Sequence, residues 1–328
     1  MRIVAATRVL DEADIIEAFV RHTASFVSHH IFMDNGSNDG TVEILRKLAE
    51  EGLGITVFQN KSVHYNELSF NTFLYEQAVK THSADWVLFV DADEFLDDRK
   101  LPAGLRAYLG SLRRFFRDPH CVKIPMVNYE YTRQDDYNEI VVPKRTTHRN
   151  APTQNYKVIA SGRIRGKAVA IANGSHDVLI DGTVTNSCVI ENDLWLAHFS
   201  ERHPLQIAAK FLKGWSKVLA AGSDVINSGS SYHYKSPYYA LKDRPEDLLR
   251  SEWFMTRKNE SPDLVHDPMN YKGGDLRYTQ QVDRDMQVVR SLIGYMHDLA
   301  VQHGKLLDHD PTARRLVDEW SSTHEKII

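Results

Sequence analysis

Four short apolar segments alternate with helical patterns over the first hundred residues, and this alternation constrains the fold more than any other feature of the sequence. The apolar segments occupy residues 3–6, 31–33, 55–58 and 86–90. Apolar side chains recur between them at the spacing of a helix face, with Asp11 as the predicted N-cap of the first helix. Repeated βα units form a parallel sheet with helices on both faces. The sequence therefore predicts a Rossmann-like α/β fold with a mostly parallel sheet.

The sequence changes character after residue 120. Short β-rich segments follow at 121–127, 140–142, 156–160, 167–172, 178–180 and 194–197. Because turn residues separate them, they predict antiparallel additions to the sheet or a small second sheet.

Helical spacing returns beyond Pro204 in two apolar stripes. The stripes are Leu205, Ala208, Leu212, Trp215 and Leu219, and then Val282, Met286, Val289, Ile293, Met296 and Ala300. We expect both stripes to pack against the body of the protein, and a homodimer seam through these C-terminal helices is the alternative. Residues 222–239, which are rich in Gly, Ser and Tyr, predict an irregular or mobile loop.

Charge and cysteine content narrow the class of protein. Forty Lys and Arg residues against forty-four Asp and Glu residues give a net charge of −4, so we expect no nucleic-acid partner. The only two cysteines, Cys121 and Cys188, could form one bridge, but such sparse use is typical of buried thiols in a reducing compartment. The apolar run at residues 3–6 is too short for the core of a signal peptide. No run of eighteen apolar residues, the length expected of a membrane-spanning helix, occurs. These features predict a cytoplasmic protein, or at most a membrane-peripheral one.

An acidic motif follows the fourth apolar segment directly. Asp91, Asp93 and Glu94 bring three carboxylates to the end of a predicted buried strand. Oxygen ligands two residues apart suit a hard divalent cation such as Mg²⁺ or Mn²⁺, which could bridge diphosphate oxygens. A solvated acidic turn is the alternative interpretation.

Polar residues follow the other predicted strands as well. Thr7 and Arg8 follow the first strand, Asp34 and Asn35 the second, and Asn60 the third. Because the carboxyl ends of parallel strands share one edge of a sheet, these groups are expected to form one polar rim with the acidic motif. Asp34 could accept from a pyrimidine N–H group, and Thr7 or Arg8 could contact a base or a phosphate. No glycine-rich dinucleotide motif, P-loop or nucleophile elbow occurs, so the usual sites of those kinds are not expected.

Three segments together resemble the nucleotide-sugar half of a GT-A glycosyltransferase of the family-2 type. They are TRVLDE at 7–12, MDNGSNDGT at 33–41 and VDADEF at 90–95. The resemblance implies Asp34 beside the base, Asp91 near the ribose and the metal, and Asp93 as a metal ligand. The whole set of expected nucleotide-binding residues is Thr7, Arg8, Glu12, Asp34, Asn35, Asn60, Asn71, Asp91, Ala92, Arg202 and Lys210.

Two later segments, at 174–177 and 196–202, resemble the subgroup related to galactan synthases. The resemblance favours His198 as a further metal ligand, with His176 as the alternative, and a structural role is the competing interpretation for both. Arg202 and Lys210 could meet the diphosphate. The family commonly supplies its catalytic base from a Glu-Asp pair, which is absent from the β-rich region here. Asp177, Glu94 and Glu130 are the candidates, in that order.

The resemblance implies a domain plan and a function. Residues 1–203 are expected to form the catalytic GT-A domain, with a donor half at 1–100 and a β-rich acceptor half at 120–203, followed by a helical region at 204–328. The expected activity is an inverting, metal-dependent hexosyl transfer from a nucleotide-diphosphate sugar, with UDP-sugar favoured, to a glycan or lipid-linked glycan in surface polysaccharide synthesis. Aromatic residues at 128–131 and 232–239 could stack on the acceptor. A metal-dependent nucleotide-sugar hydrolase and a non-catalytic glycan- or nucleotide-binding module are the alternatives.

Overall fold

The structure is a computed structural model that describes residues 1–63, 66–114, 118–132, 135–136, 138–164, 166–227, 229, 231–246 and 263–322. Its strands are β1 Ile3–Val9, β2 His29–Asp34, β3 Ile55–Gln59, β4 Trp86–Phe89, β5 Glu94–Asp97, β6 Cys121–Glu130, β7 His148–Arg149, β8 Tyr156–Ser161, β9 Val169–Ile171, β10 Val178–Ile180, β11 Thr183–Val184, β12 Cys188–Ile190, β13 Trp195–His198 and β14 Val265–His266. Its α-helices are α1 Ile16–Thr23, α2 Thr41–Glu50, α3 Glu67–Lys80, α4 Gly104–Arg114, α5 Val142–Arg145, α6 Pro204–Ala220, α7 Ser223–Asn227, α8 Lys235–Asp243, α9 Arg284–His309 and α10 Pro311–Ser322.

The predicted α/β fold is confirmed. The main sheet has the order β14-β7-β6-β8-β4-β1-β2-β3, and β1 pairs in parallel with both β2 and β4. β8 runs antiparallel between β4 and β6, so the β-rich half continues the sheet that the first half begins. A separate three-stranded sheet is formed by β11, β10 and β9.

Side chains of β1 alternate between two cores, one on each face of the sheet. Ile3 and Ala5 belong to the core with Phe19 of α1, whereas Val4 and Ala6 belong to the core with Leu74 of α3. Because both faces of this strand are covered, its sequence reads as a continuous apolar run. This pattern confirms helices on both faces of a mostly parallel sheet, which is the GT-A arrangement.

The predicted N-cap at Asp11 is wrong. The helix α1 begins at Ile16, after Ile15, and Asp11 has a φ of 59°. Its carboxylate accepts from the backbone N–H of Asn38 and contacts Lys213 and Ser291. A short polar residue tolerates this left-handed backbone, and its long-range partners outweigh the local capping bond.

The expectation of two free thiols is also wrong. Cys121 and Cys188 form a disulfide. The two residues lie opposite each other in the parallel pairing of β6 with β12, which brings them together across sixty-seven positions of the chain. The spacing of the two cysteines along the sequence does not show which residues of β6 and β12 lie opposite each other, so the disulfide could not be predicted from it.

The C-terminal stripes behave differently from each other. In α6, Ala208 and Trp215 are buried as expected, although Leu219 is exposed. In α9 the expected packing is wrong, because Ile293 is 61% exposed and Met296 67% exposed. The face of α9 that meets the body carries Gln287, Val288 and Ser291 instead, and polar bonds to the strand loops determine this orientation.

The segment 222–239 is more regular than expected. It contains α7, a 3-10 helix at Tyr232–Tyr234 and the start of α8, while residues 228 and 230 lie outside the described residues. A Glu-Asp pair does occur later in the chain, at Glu246-Asp247, and Asp247 also lies outside the described residues. Within the described part of the chain, none of the helices is both long enough and apolar enough to cross a membrane.

Candidate active site

A cavity of about 690 Å³ opens at the carboxyl ends of β1, β2 and β4. The loops after these strands form one side, the end of β13 a second, and the helices α6 and α9 a third. The C-terminal helices therefore cover the part of the predicted polar rim that lines this cavity.

Three side chains of the cavity are arranged to hold a cation. Ligand atoms of Asp93, Glu94 and His198 lie within 4.8 Å of one another. The pairing of β13 with β5 places His198 directly opposite Glu94, so sheet register brings the imidazole to the acidic motif. Nδ1 of His198 donates to Oδ1 of Asn128 at 2.8 Å, which leaves a lone pair on Nε2 at 3.7 Å from Asp93. Two carboxylates and an imidazole with a free lone pair form a donor set that fits Mn²⁺ or Mg²⁺.

Asp91 lies beside this group but faces different partners. Its carboxylate contacts Nζ of Lys157 at 2.6 Å and the guanidinium of Arg8 at 3.2 Å. Burial favours the neutral acid, but the two cations more than offset it and hold the pKa of Asp91 below its ordinary value. The carboxylate of Asp91 is therefore ionised at neutral pH.

Cations also surround Asp93 and Glu94. Nζ of Lys210 lies 2.9 Å from Asp93, and Nζ of Lys157 lies 3.2 Å from Glu94. Burial opposes ionisation of Asp93, but Lys210 outweighs it and keeps the pKa of Asp93 well below its usual range. Burial prevails at Glu94 and raises the pKa of this carboxyl, although Lys157 opposes the shift. The site therefore combines fixed negative charges with lysines able to approach an anionic ligand.

Several residues predicted from the sequence line the cavity together. They are Arg8, Glu12, Asn35, Asp91, Ala92, Asp93, Glu94, His176, His198 and Lys210. Glu12 contacts the buried Arg202 at 2.5 Å, and burial raises the pKa of Glu12 to about 7 against the effect of this guanidinium. His176 bonds through Nδ1 to the carbonyl oxygen of Tyr156 at 2.6 Å, and it stands apart from the three-residue group.

Other predicted residues do not line this cavity. They are Thr7, Asp34, Asn60, Asn71, Arg202, Asp177 and Glu130. The carboxylate of Asp34 is fully buried and accepts from the backbone of Gly36 and Ser37 and from the amide of Gln59.

The remaining residues of that set have structural contacts. Thr7 and Asn71 are buried, Asn60 accepts from the backbone of Ser62, and Arg202 forms ion pairs with Asp14 and Glu12. Asp177 contacts Lys123, and Glu130 accepts from Asn150 at 2.8 Å. These contacts test no functional role, so the roles of these residues stay predictions.

Sequence reasoning missed several cavity residues, above all Lys157 and Lys217. Lys157 is 3% exposed, and the signal that could have found it is the single charged residue inside the predicted strand 156–160. Lys217 lies on α6 two positions from both Trp215 and Leu219 of the predicted apolar stripe, and its bond to Asn35 depends on how α6 is docked.

The fold is of the GT-A type, a mostly parallel sheet with helices on both faces. The profile of the family described as Glycosyl transferase family 2 matches residues 9–166, just under half of the chain. This match supports a glycosyltransferase and covers the acidic motif and Lys157. No curated protein matches the chain.

Solved structures offer distant likenesses. A mannosyltransferase from Pyrobaculum calidifontis, in complex with GDP-Man and Mn²⁺, is 13% identical with a TM-score of 0.35 and coverage of 90% of this chain and 87% of that one. Glucosyl-3-phosphoglycerate synthase from Mycobacterium tuberculosis, with Mn²⁺, UDP and glucosyl-3-phosphoglycerate, is 13% identical with a TM-score of 0.33 and coverage of 66% and 79%. Neither likeness assigns a ligand or a residue role to this chain.

Proposed function

We propose that the protein is a divalent-metal-dependent glycosyltransferase that moves a sugar from a nucleotide-diphosphate sugar to a hydroxyl group of a glycan or lipid-linked glycan. The observation that carries the proposal is the grouping of Asp93, Glu94 and His198 within 4.8 Å in a cavity that Arg8 and Lys210 also line. Carboxylates alone would repel a diphosphate, whereas a divalent cation bound between them would attract it.

The residues of the site have separate tasks in this proposal. Mn²⁺ or Mg²⁺, held by Asp93, Glu94 and His198, would supply charge stabilisation for the leaving diphosphate when bound. Lys210 and Arg8 would contact phosphate oxygens and so hold the donor in place for attack. Asp91, with its low pKa, would remain an acceptor for the ribose hydroxyls.

The acceptor hydroxyl needs a base that removes its proton in line with the sugar–phosphate bond. Of the candidates Asp177, Glu94 and Glu130, Glu94 is the one that lines the cavity. Its place beside the proposed cation competes with that role. Inverting stereochemistry is part of the proposal.

Finer features of the function extend the same proposal. They are hexosyl transfer, a UDP-sugar donor, a place in surface polysaccharide synthesis, relation to the galactan synthase subgroup, a catalytic domain ending at residue 203, cytoplasmic or membrane-peripheral location, and a homodimer formed by the C-terminal helices. The resemblance of the segments 174–177 and 196–202 supports the subgroup, and the exposed stripe of α9 supports the dimer.

A thermal-shift screen of nucleotide sugars with and without Mn²⁺ tests the proposal. We expect stabilisation by at least one nucleotide sugar that depends on the metal, and loss of that dependence in Asp93→Asn. The exposed Asp318 provides the control Asp318→Asn, which should behave as the wild-type protein. Unchanged metal-dependent binding and transfer in Asp93→Asn would contradict the site. Release of nucleoside diphosphate without any glycan acceptor would favour a hydrolase, and binding without turnover would favour a binding module.

A further inference from the structure

A small cavity lies behind one wall of the candidate active site, between α5 and the N-termini of α6 and α9. Its volume is about 10 Å³, which is room for one water molecule or one small ion. Gln206, Gln287 and Val288 line both this cavity and the large one, so they form the wall between the two. The titratable side chains that line the small cavity are three basic ones and one acid, namely Arg145, His203, Arg284 and Asp14.

Arg145 brings a buried positive charge to this cavity. The residue is 5% exposed, and its two terminal nitrogens donate to the carbonyl oxygens of Glu139 at 3.3 Å and of Arg202 at 3.0 Å. Its Nε is buried and has no hydrogen-bond partner among the described residues. Burial and the charge of Arg284 lower the pKa of Arg145 to about 10, so the guanidinium is still charged at neutral pH. Carbonyl oxygens hold the group in place but do not neutralise it, and a buried charge without a counterion is costly.

The acid of the cavity is already paired with another arginine. Both carboxylate oxygens of Asp14 accept from Arg202, at 2.8 and 3.0 Å. Neither Arg145 nor Arg284 forms an ion pair within the described part of the chain. Asp135 acts on the charge of Arg145 from beyond ion-pair distance, and it does not line the cavity. The charges that face the cavity are therefore positive in excess.

His203 and the start of α6 add groups that attract an anion. Nδ1 of His203 is buried and, like Nε of Arg145, has no partner among the described residues. Burial and the charge of Arg284 lower the pKa of His203, so the imidazole is neutral at pH 7 and can carry its hydrogen on Nδ1. The helix α6 begins directly after His203, with no side-chain cap and no acidic residue in its first turn. Its first N–H groups carry the positive end of the helix dipole, which favours a negative charge nearby.

A monatomic anion suits this cavity better than water or an oxyanion. Water could accept from Nε of Arg145 and from Nδ1 of His203, but it would leave the guanidinium charges unbalanced. A phosphate or sulfate ion carries four oxygens around its central atom and needs more room than one water-sized space. Chloride is only slightly larger than water, accepts from several N–H groups at once and carries the missing negative charge.

We propose that the cavity lined by Arg145, His203 and Arg284 is a chloride site that joins α5 to the N-termini of α6 and α9. The inference does not depend on the proposed function, because the ion binds outside the large cavity and is neither donor nor acceptor. Since α6 and α9 form one side of the large cavity, bound chloride stabilises the helices that cover it.

Thermal unfolding in sodium chloride and in sodium gluconate at the same ionic strength tests the site, because gluconate is too large to enter it. We expect chloride to raise Tm in a saturable manner, by about 2 °C or more once its concentration is well above Kd. Arg284→Gln should lose most of this increase, since it removes one of the unpaired charges. Arg290→Gln, at an exposed position of the same helix, is the matched control and should keep the increase.

Diffraction from crystals of the wild-type protein keeps the test independent of any variant. With bromide in place of chloride, we expect an anomalous peak in the cavity between Nε of Arg145 and Nδ1 of His203. Water without a bromide peak in this place would overturn the inference. A peak without any chloride effect on Tm would also overturn it, since the peak would then mark an adventitious ion only. A chloride effect of equal size in Arg284→Gln and Arg290→Gln would overturn it as well. All of these results leave the proposed function standing, which the nucleotide-sugar screen tests separately.

Discussion

Lys157 places a positive charge between two carboxylates at a buried edge of the sheet. Its Nζ lies 2.6 Å from Asp91 and 3.2 Å from Glu94, and the side chain is 3% exposed. Burial opposes its charge, but Asp91 and Glu94 more than offset this effect and raise the pKa of Lys157. The buried lysine therefore allows the buried Glu94 and the partly exposed Asp91 to remain close together.

We expect Lys157→Met to lower the free energy of unfolding at pH 7 by about 3 kcal/mol, because it leaves the buried Glu94 without its lysine and Asp91 with Arg8 alone. Urea denaturation at several pH values measures the loss. The wild-type protein keeps the pKa of Asp91 low, and this stabilisation disappears as the pH falls through that pKa, so the difference between the proteins should shrink in acid.

The exposed Lys80 offers a matched control for this loss. Its side chain is 70% exposed and pairs with Glu76 on the same helix, so Lys80→Met should cost less than about 1 kcal/mol. Equal losses in the two variants would show that Lys157 is not the cation on which the acidic motif depends.

Among single residues, the sequence predicted the carboxylates of the site together with Arg8 and Lys210, but it missed Lys157 and Lys217. Asp91 and Asp93 follow a recognisable strand, so their shared location could be inferred from the local pattern alone. Lys157 and Lys217 depend on how β8 and α6 are positioned against β4 and β2, which is information that no local spacing contains. The same limit applies to Asp11, whose partners are Lys213 and Ser291.

Among the elements, β13 determines the geometry of the candidate metal centre. It pairs antiparallel with β5 and parallel with β6, so His198 lies opposite both Glu94 and Asn128. The bond from Nδ1 of His198 to Asn128 fixes the ring and directs Nε2 toward Asp93. A partner of this kind behind a ligand orients the imidazole and raises its basicity.

We expect Asn128→Leu to weaken Mn²⁺ binding by about 10- to 100-fold, because the imidazole loses the acceptor that fixes its tautomer. Titration calorimetry with MnCl₂ measures the effect, and circular dichroism checks that the sheet is retained. Asn192→Leu, at an exposed position shortly before β13, is the control and should leave the affinity unchanged. An unaltered affinity in Asn128→Leu would argue against His198 as a ligand.

The sequence predicted the βα units well because their periodicity is local. The strands β1 to β4 and the helices between them lie where the apolar segments indicate. Register is not local, and so the pairing of β13 and the meeting of Cys121 with Cys188 could not be inferred. The orientation of α9 was wrong for a related reason: its polar face bonds to Asp39 and Asp11, which the stripe does not reveal.

For the molecule as a whole, the outward face of α9 is the largest departure from expectation. Met286, Val289, Ile293 and Met296 are 43 to 67% exposed and repeat at the spacing of a coiled-coil seam. A second copy of the chain could cover this face around a twofold axis, since such an interface needs only one self-complementary stripe. A membrane surface is the competing partner.

We expect the protein to form a concentration-dependent dimer that the double substitution Ile293→Asp and Met296→Asp converts to a monomer. Two charges placed in an apolar seam have no partner there, so association should weaken by at least about 100-fold. Sedimentation velocity over a range of concentrations measures the change. Lys305→Asp, exposed on α9 but off the stripe, is the control. A wild-type protein that stays monomeric yet binds lipid vesicles would replace the dimer with the membrane.

The candidate active site is lined by residues from both ends of the chain, and the ribosome synthesises these residues at different times. Arg8 emerges among the first residues, whereas Ser291, which also lines the cavity, follows more than 280 positions later. At about 5 to 20 residues per second, the stretch from His198 to Ser291 alone takes about 5 to 20 s to synthesise. During that interval a nascent chain can already carry the acidic group of the sheet while it lacks the lysines of α6 and the cover of α9. The proposed donor binding would thus become available only late in translation, after the sheet has had time to fold.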